Sequence, residues 1–440
     1  MKYFFLLFLV IFLDSLQVFS QQMLTLDEAI SQALERNYQV KIARSREEIA
    51  KNDNTRGNAG MLPIINAQAQ QNFTNNSINQ KFFNDIRPPL VQSGVNNRNN
   101  SAGLSLVWTV FDGFGMFAAA ERLREIERLG KTNVQVAIQN TVAEVCAAYY
   151  EIIRQQQRLK ALKNALEISS TRQDLAQANY EVGTTSKSEY LAAQVDFNQD
   201  QAAVLAQEQV IENAKVNLNA LMLRDLNEHF SVADSIIFRK DLNLSQLQEK
   251  MKRANPDLLA ASQNIALTKI NEKEVRSVRM PRGDILGGYN YNTFNNEAGF
   301  GAQKGSSSVF SYGARISVPI YDGLNQRRRE QNAKIAITIA EHQENDLKVQ
   351  LMSQLQRTYN NYLNSIQLFE TEEKNLKIAR QNVELAFERY KYGNSTPIEF
   401  REAQRNAVAT ESRLIEAAFG VKINEIELLR LSSSIVEEAR

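Results

Sequence analysis

The chemistry open to this chain is mainly that of carboxylates, because other reactive side chains are scarce. The 440 residues include one cysteine, Cys146, and two histidines, His229 and His342, which lie too far apart in sequence to give a metal-ligand spacing. The sequence contains no glycine-rich phosphate loop and no nucleophile with a suitable histidine partner. We therefore predict that the chain is not an enzyme and that it holds neither a cofactor nor a metal.

Two carboxylates in the last quarter of the chain, Glu399 and Glu402, are the clearest candidates for a charged site. They lie three residues apart, which places them on one face of a helix. Residues 396–399 (Thr-Pro-Ile-Glu) and 186–189 (Ser-Lys-Ser-Glu) both fit a helix-start capping box. Capping alone can therefore explain Glu399 and Glu189. Glu402 has no capping position, and the alternative for it is a solvated surface acid.

These acids follow glycine-marked breaks that occur twice, because the chain is a tandem duplication. Residues 180–183 (Tyr-Glu-Val-Gly) return as 390–393 (Tyr-Lys-Tyr-Gly), and 111–113 (Phe-Asp-Gly) return as 321–323 (Tyr-Asp-Gly), both 210 positions later. Such a register, held without a gap over this distance, is not expected by chance. Each copy is predicted to contain a helix, a strand, a loop, a second strand, a very long helix, a tight break and a final long helix.

Upstream of the strands the two copies are offset by 218 positions, as between Pro63 and Pro281. The first copy thus carries 218 − 210 = 8 extra residues, which fall in the polar stretch 75–100. Pro88, Pro89 and many asparagines in that stretch predict a loop.

The long helices are predicted to be coiled-coil arms. The helix predicted from Leu324 to about Tyr392 would be about 100 Å long at 1.5 Å per residue, too long to fold back inside a compact domain. Apolar residues recur at steps of three or four, interrupted at Gln156 in the first copy and at Glu373 in the second, which is typical of helices that pack side by side in a supercoil. This apolar seam comprises Ile138, Val142, Val145, Tyr149, Ile152, Leu159, Leu162 and Leu166 in the first copy, and Met352, Leu355, Tyr359, Tyr362, Ile366, Phe369 and Leu376 in the second.

The strands alternate apolar and polar residues, which is typical of transmembrane barrel strands, although a soluble hairpin packed on helices is the alternative. Arg315 lies on the polar face, which we expect to line a pore. Four strands cannot close a barrel, because even small barrels need about eight, so several chains must share their strands. The predicted lipid-facing side chains are Leu104, Leu106, Trp108, Phe310, Tyr312 and Ile316.

The start of the chain predicts export from the cytoplasm. A basic residue, a short apolar run and a small residue near Ser20 are typical of a secretory signal peptide that is removed. The formal net charge of +1 argues against a nucleic-acid partner. The predicted segments are a signal peptide (1–20), a first repeat (21–222, with strands near 62–75 and 101–111 and a helical hairpin near 117–222), a linker or equatorial segment (223–241), a second repeat (242–432, with strands near 282–294 and 308–320 and a hairpin near 324–430) and a C-terminal tail (433–440).

Two repeats, each with a strand pair ending in aromatic-Asp-Gly and a helix hairpin broken at Tyr-x-x-Gly, resemble the TolC-type outer-membrane factors. The resemblance implies a mainly α fold with a small β part: a homotrimer whose twelve strands form one barrel in the outer membrane, continued by a helical coiled-coil tunnel in the periplasm. It also implies contact with outer-membrane lipid and, as partners, a periplasmic adaptor protein and an inner-membrane RND or ABC pump.

The resemblance further assigns roles at the hairpin ends. Glu399 and Glu402 match acidic ring positions at the closed periplasmic aperture, where repeated carboxylates would attract cations. Glu189 and Tyr390 match a pair whose hydrogen bond fastens the inner hairpin to its neighbour. The groove gripped by adaptor tips corresponds to Val182, Gly183 and Thr184 in the first copy and to Gly393 and Asn394 in the second, where the motif departs.

The resulting function is a gated exit duct in a tripartite efflux or type I secretion system. The alternative is a soluble periplasmic coiled-coil scaffold or the adaptor itself, although an adaptor would carry one helical hairpin among β-rich domains. The sequence does not choose between small-molecule, metal and protein export.

Overall fold

The computed structural model describes residues 23–83, 88–298 and 302–438. The predicted signal peptide, residues 1–20, lies outside these ranges. Contacts group the chain into two units, one formed by Met1–Ser45, Thr132–Leu259 and Asp346–Arg440 and the other by Arg46–Lys131 and Ala260–Asn345. The elements in chain order are α1 (Leu26–Arg36), α2 (Tyr38–Asp53), β1 (Ile64–Gln80), β2 (Leu90–Asp112), α3 (Gly115–Glu181), α4 (Lys187–Met222), α5 (Leu244–Ala254), α6 (Pro256–Ser277), β3 (Arg282–Asn296), β4 (Lys304–Ser317), α7 (Asn325–Lys391), α8 (Pro397–Leu431) and α9 (Ile435–Glu438).

The long helices α3 and α7 contain 67 residues each, which corresponds to about 100 Å at 1.5 Å per residue. Every residue of the predicted apolar seam is buried or half-buried. In α3, however, Ala161 and Ala165 are buried more deeply than Leu162 and Leu166, because small side chains let neighbouring helices approach closely. No helix among the described residues is both long and apolar enough to cross a membrane.

The duplication is visible in individual hydrogen bonds within the first unit. The Tyr149 hydroxyl donates to the Leu24 carbonyl at 2.9 Å, and the Tyr359 hydroxyl donates to the Leu242 carbonyl at 3.3 Å. These partners are related by the same two offsets, 210 and 218, as the sequence motifs. Asn37 and Asn255 repeat the pattern, since their side-chain amides donate to the carbonyls of Leu221 and Leu431. Each hydrogen bond joins the chain entering a repeat to that repeat's long helices.

The four strands form one antiparallel sheet in the order β1-β2-β3-β4. Ile64 pairs with Val107 in the first strand pair, and Arg282 pairs with Ser317 in the second, so both copies have the same register. All six predicted lipid-facing residues lie on one face of this sheet. On the opposite face, Arg315 is ion-paired with Asp284 at 2.9 Å, and Asp284 accepts a hydrogen bond from Thr109 at 2.9 Å.

The strand ends differ from expectation. The polar stretch 75–100, predicted to be a loop, is mostly strand, because β1 continues to Gln80 and β2 begins at Leu90. Asparagine and threonine side chains extend the pairing, as in the hydrogen bonds from Asn75 to Asn96 at 2.7 Å and from Asn100 to Thr293 at 3.1 Å. At the other end, β4 stops at Ser317 and not near residue 320, since Pro319 has no N–H to donate to a neighbouring strand.

Candidate functional site

The end of the first helical hairpin is a short, exposed turn built around Gly183. Helix α3 ends at Glu181, and Gly183 follows with φ of +80°, a left-handed conformation that favours glycine. The Thr184 N–H donates to the Asn179 carbonyl at 2.9 Å and closes the turn. A Cβ added at Gly183 would meet no atom within 4 Å, and the Val182 side chain is 73% exposed. Another backbone could therefore approach closely here.

The second hairpin ends in an equivalent turn. Gly393 has φ of +73°, and the Asn394 N–H donates to the Arg389 carbonyl at 2.8 Å. Helix α8 then begins with a complete capping box, in which the Thr396 hydroxyl accepts from the Glu399 N–H at 3.3 Å and the Glu399 carboxylate accepts from the Thr396 N–H at 3.4 Å. The bonds of Glu399 thus stay within its own hairpin.

Glu189 does not complete the reciprocal capping box that the sequence allows as the alternative explanation for it, and its carboxylate instead contacts Tyr390, the residue with which the resemblance pairs it. Ser186 does cap α4, since its hydroxyl accepts from the Glu189 N–H at 3.2 Å. The Glu189 carboxylate, however, accepts hydrogen bonds from the Thr185 hydroxyl and, at 3.2 Å, from the Tyr390 hydroxyl on the other hairpin. The Glu189 carboxylate therefore bonds these two hydroxyls and not the Ser186 N–H at the start of its own helix.

Tyr390 is the buried member of this contact. Its ring stacks on Phe400 with centroids 5.8 Å apart, as the ring of Tyr180 stacks on Tyr190 at the equivalent place in the first copy. Burial, followed by the negative charge of Glu189, raises the pKa of Tyr390, so the phenol stays protonated and able to donate. The Tyr390–Glu189 hydrogen bond therefore joins the two hairpins of one chain.

Glu399 and Glu402 are both exposed on the first turns of α8. Hydrogen bonds from the Ser395 hydroxyl and then the Thr396 N–H hold the pKa of Glu399 below its usual value. The Asn406 amide donates to Glu402 at 3.5 Å, the limiting distance for such a bond. Both carboxylates are available to ions in solution.

A buried ionic network, which the sequence reasoning missed, lies on the same helices as these residues. The Arg401 guanidinium makes a two-pronged contact with Asp200, through Nη1–Oδ2 at 2.7 Å and Nη2–Oδ1 at 2.9 Å. A second arginine, Arg172, donates to Asp196 at 2.5 Å, and Asp196 also lies 3.4 Å from Arg401. The network thus connects α3, α4 and α8, and with them the two hairpins.

Neutral side chains complete this network. Gln404 accepts from Arg401 at 3.0 Å and donates to the Ser169 hydroxyl at 3.0 Å and to the Ala165 carbonyl at 2.8 Å. The Ser169 hydroxyl in turn donates to Asp200. The hydrogen bond to Asp200 raises the pKa of Arg401, so the guanidinium remains charged despite its burial.

Comparison with known proteins agrees with this architecture. The family model for outer membrane efflux proteins matches residues 29–222 and again 247–433, once for each repeat. The chain belongs to the outer membrane efflux protein family. The outer membrane protein TolC of Vibrio cholerae is 23% identical over 422 residues, which cover 94% of this chain and 91% of that protein.

Solved structures share the fold. The Campylobacter jejuni CmeC outer membrane channel superposes with a TM-score of 0.75 at 14% identity, covering 94% of this chain and 89% of that one. The open state of the Neisseria gonorrhoeae MtrE outer membrane channel gives 0.71 at 16% identity, with 93% and 89% covered. The predicted family and fold class, two tandem repeats in a mostly helical chain with a small sheet, are confirmed. The protein is an outer-membrane efflux channel subunit, and its homologues are outer-membrane proteins.

The sequence does carry a signal for the buried ionic network around Arg401. The deeply buried positions of α3 run through Ala161, Ala165, Ser169, Arg172 and Ala176, at steps of four, four, three and four. Two polar side chains, Ser169 and Arg172, therefore occupy places where the coiled-coil repeat favours apolar ones. Buried polar groups need partners, so this interruption indicates a network without naming its members on the other helices.

Proposed function

We propose that three copies of this chain form one exit duct across the outer membrane, gated at the ends of the helical hairpins. The main support is the sheet. It has one apolar and one polar face, and its order leaves the outer edges of β1 and β4 without a strand neighbour in the described chain. Three copies would supply twelve strands, with apolar side chains toward lipid and the polar face toward a lumen.

The duplication predicts how neighbouring copies pair. Within the chain, β2 pairs with β3, and Ser101 faces Asn292. Moving these positions by the two offsets gives Ser311 (101 + 210) on β4 and Thr74 (292 − 218) on β1 of the partner subunit. Facing residues of antiparallel strands have Cα atoms about 4.5–5.5 Å apart, within the range that a disulfide bridges.

The test is the double variant Thr74→Cys/Ser311→Cys in a background with Cys146→Ala. Under oxidation we expect covalent dimers and trimers on denaturing gels, formed only from membrane fractions. The matched control, Thr74→Cys/Ser308→Cys, places one thiol on the opposite face of the sheet and should not cross-link. Cross-linking of the control but not of the test pair would contradict the proposed register, and a water-soluble monomer would contradict the duct.

The gate is proposed to be the set Glu189, Tyr390, Glu399 and Glu402. The hydrogen bond between Tyr390 and Glu189 and the buried arginine network hold the two hairpins of each chain together. Three pairs of exposed carboxylates near one axis would attract cations into a closed aperture. Separating the hairpins would break the hydrogen bond and open the duct.

Partners are proposed for the exposed turns. The turn at Val182, Gly183 and Thr184 and the turn at Gly393 and Asn394 offer accessible backbone to a periplasmic adaptor, which would connect the duct to an RND or ABC pump in the inner membrane. The two turns differ in sequence, so we expect different affinities. The genes next to this one would identify the pump, and a panel of toxic compounds tested on a deletion strain would identify the exported class.

A further inference from the structure

Three consecutive arginines, Arg327, Arg328 and Arg329, form a strongly basic patch at the start of α7. All three side chains are exposed, and none takes part in an ion pair within the described parts of the chain. Helix α7 begins at Asn325, so Arg327 lies in its first turn. Helix starts carry partial positive charge, and cations there are unfavourable. The arginines therefore do not serve helix stability.

Nearby acids are already engaged. The Asp322 carboxylate accepts from the Gln326 N–H at 2.7 Å and caps the helix, and Glu330 is ion-paired with Arg279. The patch keeps an excess of positive charge that is available to an outside anion.

The first copy of the repeat provides an internal comparison. Its equivalent positions hold Phe117, Ala118 and Ala119, and its long helix begins in the same way. The fold therefore does not require arginines here. Phe117, in the first turn of α3, remains 56% exposed even though the strand that leads into this helix, β2, has neighbours on both sides. The equivalent side chain, Arg327, should likewise stay exposed when a partner subunit covers β4.

An exposed apolar band precedes the arginines along the chain. Ile316, Ile320, Tyr321 and Leu324 are between 60% and 95% exposed. Leu324 keeps this exposure in a left-handed conformation with φ of +64°, which is unusual for a branched side chain. Apolar and aromatic side chains followed directly by arginines match the order of acyl chains and phosphates at a membrane surface.

We propose that Arg327, Arg328 and Arg329 bind the phosphates of anionic phospholipids in the periplasm-facing leaflet of the outer membrane. This inference rests on the proposed duct, because it needs the sheet to lie in that membrane. Guanidinium groups match phosphate oxygens in a two-pronged geometry and stay charged at every physiological pH. The apolar band would hold the acyl chains of the same lipids.

The test is native mass spectrometry of the full mature protein in nanodiscs that contain equal amounts of phosphatidylglycerol and phosphatidylethanolamine. We expect the wild type to retain phosphatidylglycerol preferentially. The variant Arg327→Gln/Arg328→Gln/Arg329→Gln should retain at least fivefold less of it, with phosphatidylethanolamine unchanged. Restoring the charge with three lysines should recover part of the preference.

The matched control removes three exposed cations from the same helix, Lys348→Gln/Lys374→Gln/Lys377→Gln, and should keep the lipid preference. Equal retention of both lipids by the wild type, or no change in the arginine variant, would refute the inference. Dissociation of the trimer in the arginine variant with unaltered lipid per subunit would refute it as well, by showing that the patch contacts a partner subunit. Each of these results leaves the duct itself intact, whereas a wild type that forms no membrane-inserted trimer refutes the duct.

Discussion

Replacing Arg401 by leucine is the sharpest test of the network that joins the two hairpins. Leucine occupies the equivalent position, Leu191, in the first copy, so the helix accepts it. The change leaves Asp200 with only the Ser169 hydroxyl among its partners described above, and Asp196 with only Arg172. Removing one member of a buried ion pair costs about 3–5 kcal/mol, because the remaining charge is buried without compensation.

The lower end of that range applies here. Asp196 and Asp200 keep 19% and 16% of their side-chain surface exposed, and water can partly solvate them. If the network exists only while the hairpins are held together, a loss of about 3 kcal/mol per chain shifts the closed-to-open ratio on the order of 100-fold, at 1.4 kcal/mol for each factor of ten. Planar-bilayer recordings should therefore show Arg401→Leu channels open for most of the record.

Two further variants show whether the effect of Arg401→Leu comes from the unpaired charge of Asp200. Arg405→Leu removes an exposed arginine from the same helix and should leave the open fraction of the channel unchanged. The double variant Arg401→Leu/Asp200→Leu removes both charges and should restore most of the closed population, since no unpaired charge remains at that pair. A wild-type open fraction in Arg401→Leu, or a double variant as open as the single one, would refute the conclusion that Arg401 and Asp200 hold the two hairpins together.

Three other predictions concern the hairpin ends. Tyr390→Phe keeps the stacked ring but removes the hydrogen bond to Glu189, so a loss of about 1 kcal/mol should raise the open fraction roughly fivefold in the same recordings; an unchanged fraction would contradict a role for this bond. Glu399→Gln/Glu402→Gln should abolish cation preference in reversal-potential measurements. Because hydrogen bonds lower the pKa of Glu399, its carboxylate keeps its charge to a lower pH than an ordinary glutamate does, so the preference should be lost only at a pH below the one at which an ordinary glutamate titrates; loss at a higher pH would exclude Glu399 as its source. Gly183→Leu should abolish export while trimers remain in the membrane, since the added side chain projects into open space where an adaptor would sit; normal export would count against that contact.

Much of the fold follows from the sequence because the duplication is a strong constraint. Two offsets, 210 and 218, bring Tyr149 and Tyr359 to the same place in each repeat and also relate the registers of the two strand pairs. The strand ends were harder to predict. Asparagine-rich segments usually indicate loops, but here amide groups on neighbouring strands satisfy one another, as Asn75 and Asn96 do.

The candidate site was only partly predictable. Local patterns identify the turns at Gly183 and Gly393 and the caps that follow them. The pair of Glu189 and Tyr390, 201 positions apart, was named only through the family resemblance, and the contact of Arg401 with Asp200, across the same separation, was not predicted at all. A single sequence carries no direct record of such pairs, because a buried arginine on one helix can find its acid on any helix that packs against it.

Within the described residues the outer edges of β1 and β4 have no strand neighbour, and this has a consequence for biogenesis. A freshly exported chain carries two rows of unsatisfied backbone N–H and C=O groups, which can template association with unrelated chains as readily as with its own kind. In the proposed duct these edges pair between copies, so maturation would be second order or higher in concentration and would compete with aggregation. Expression level, and any factor that shields these edges in transit, should limit the yield of mature protein more than the intrinsic stability of any one chain does.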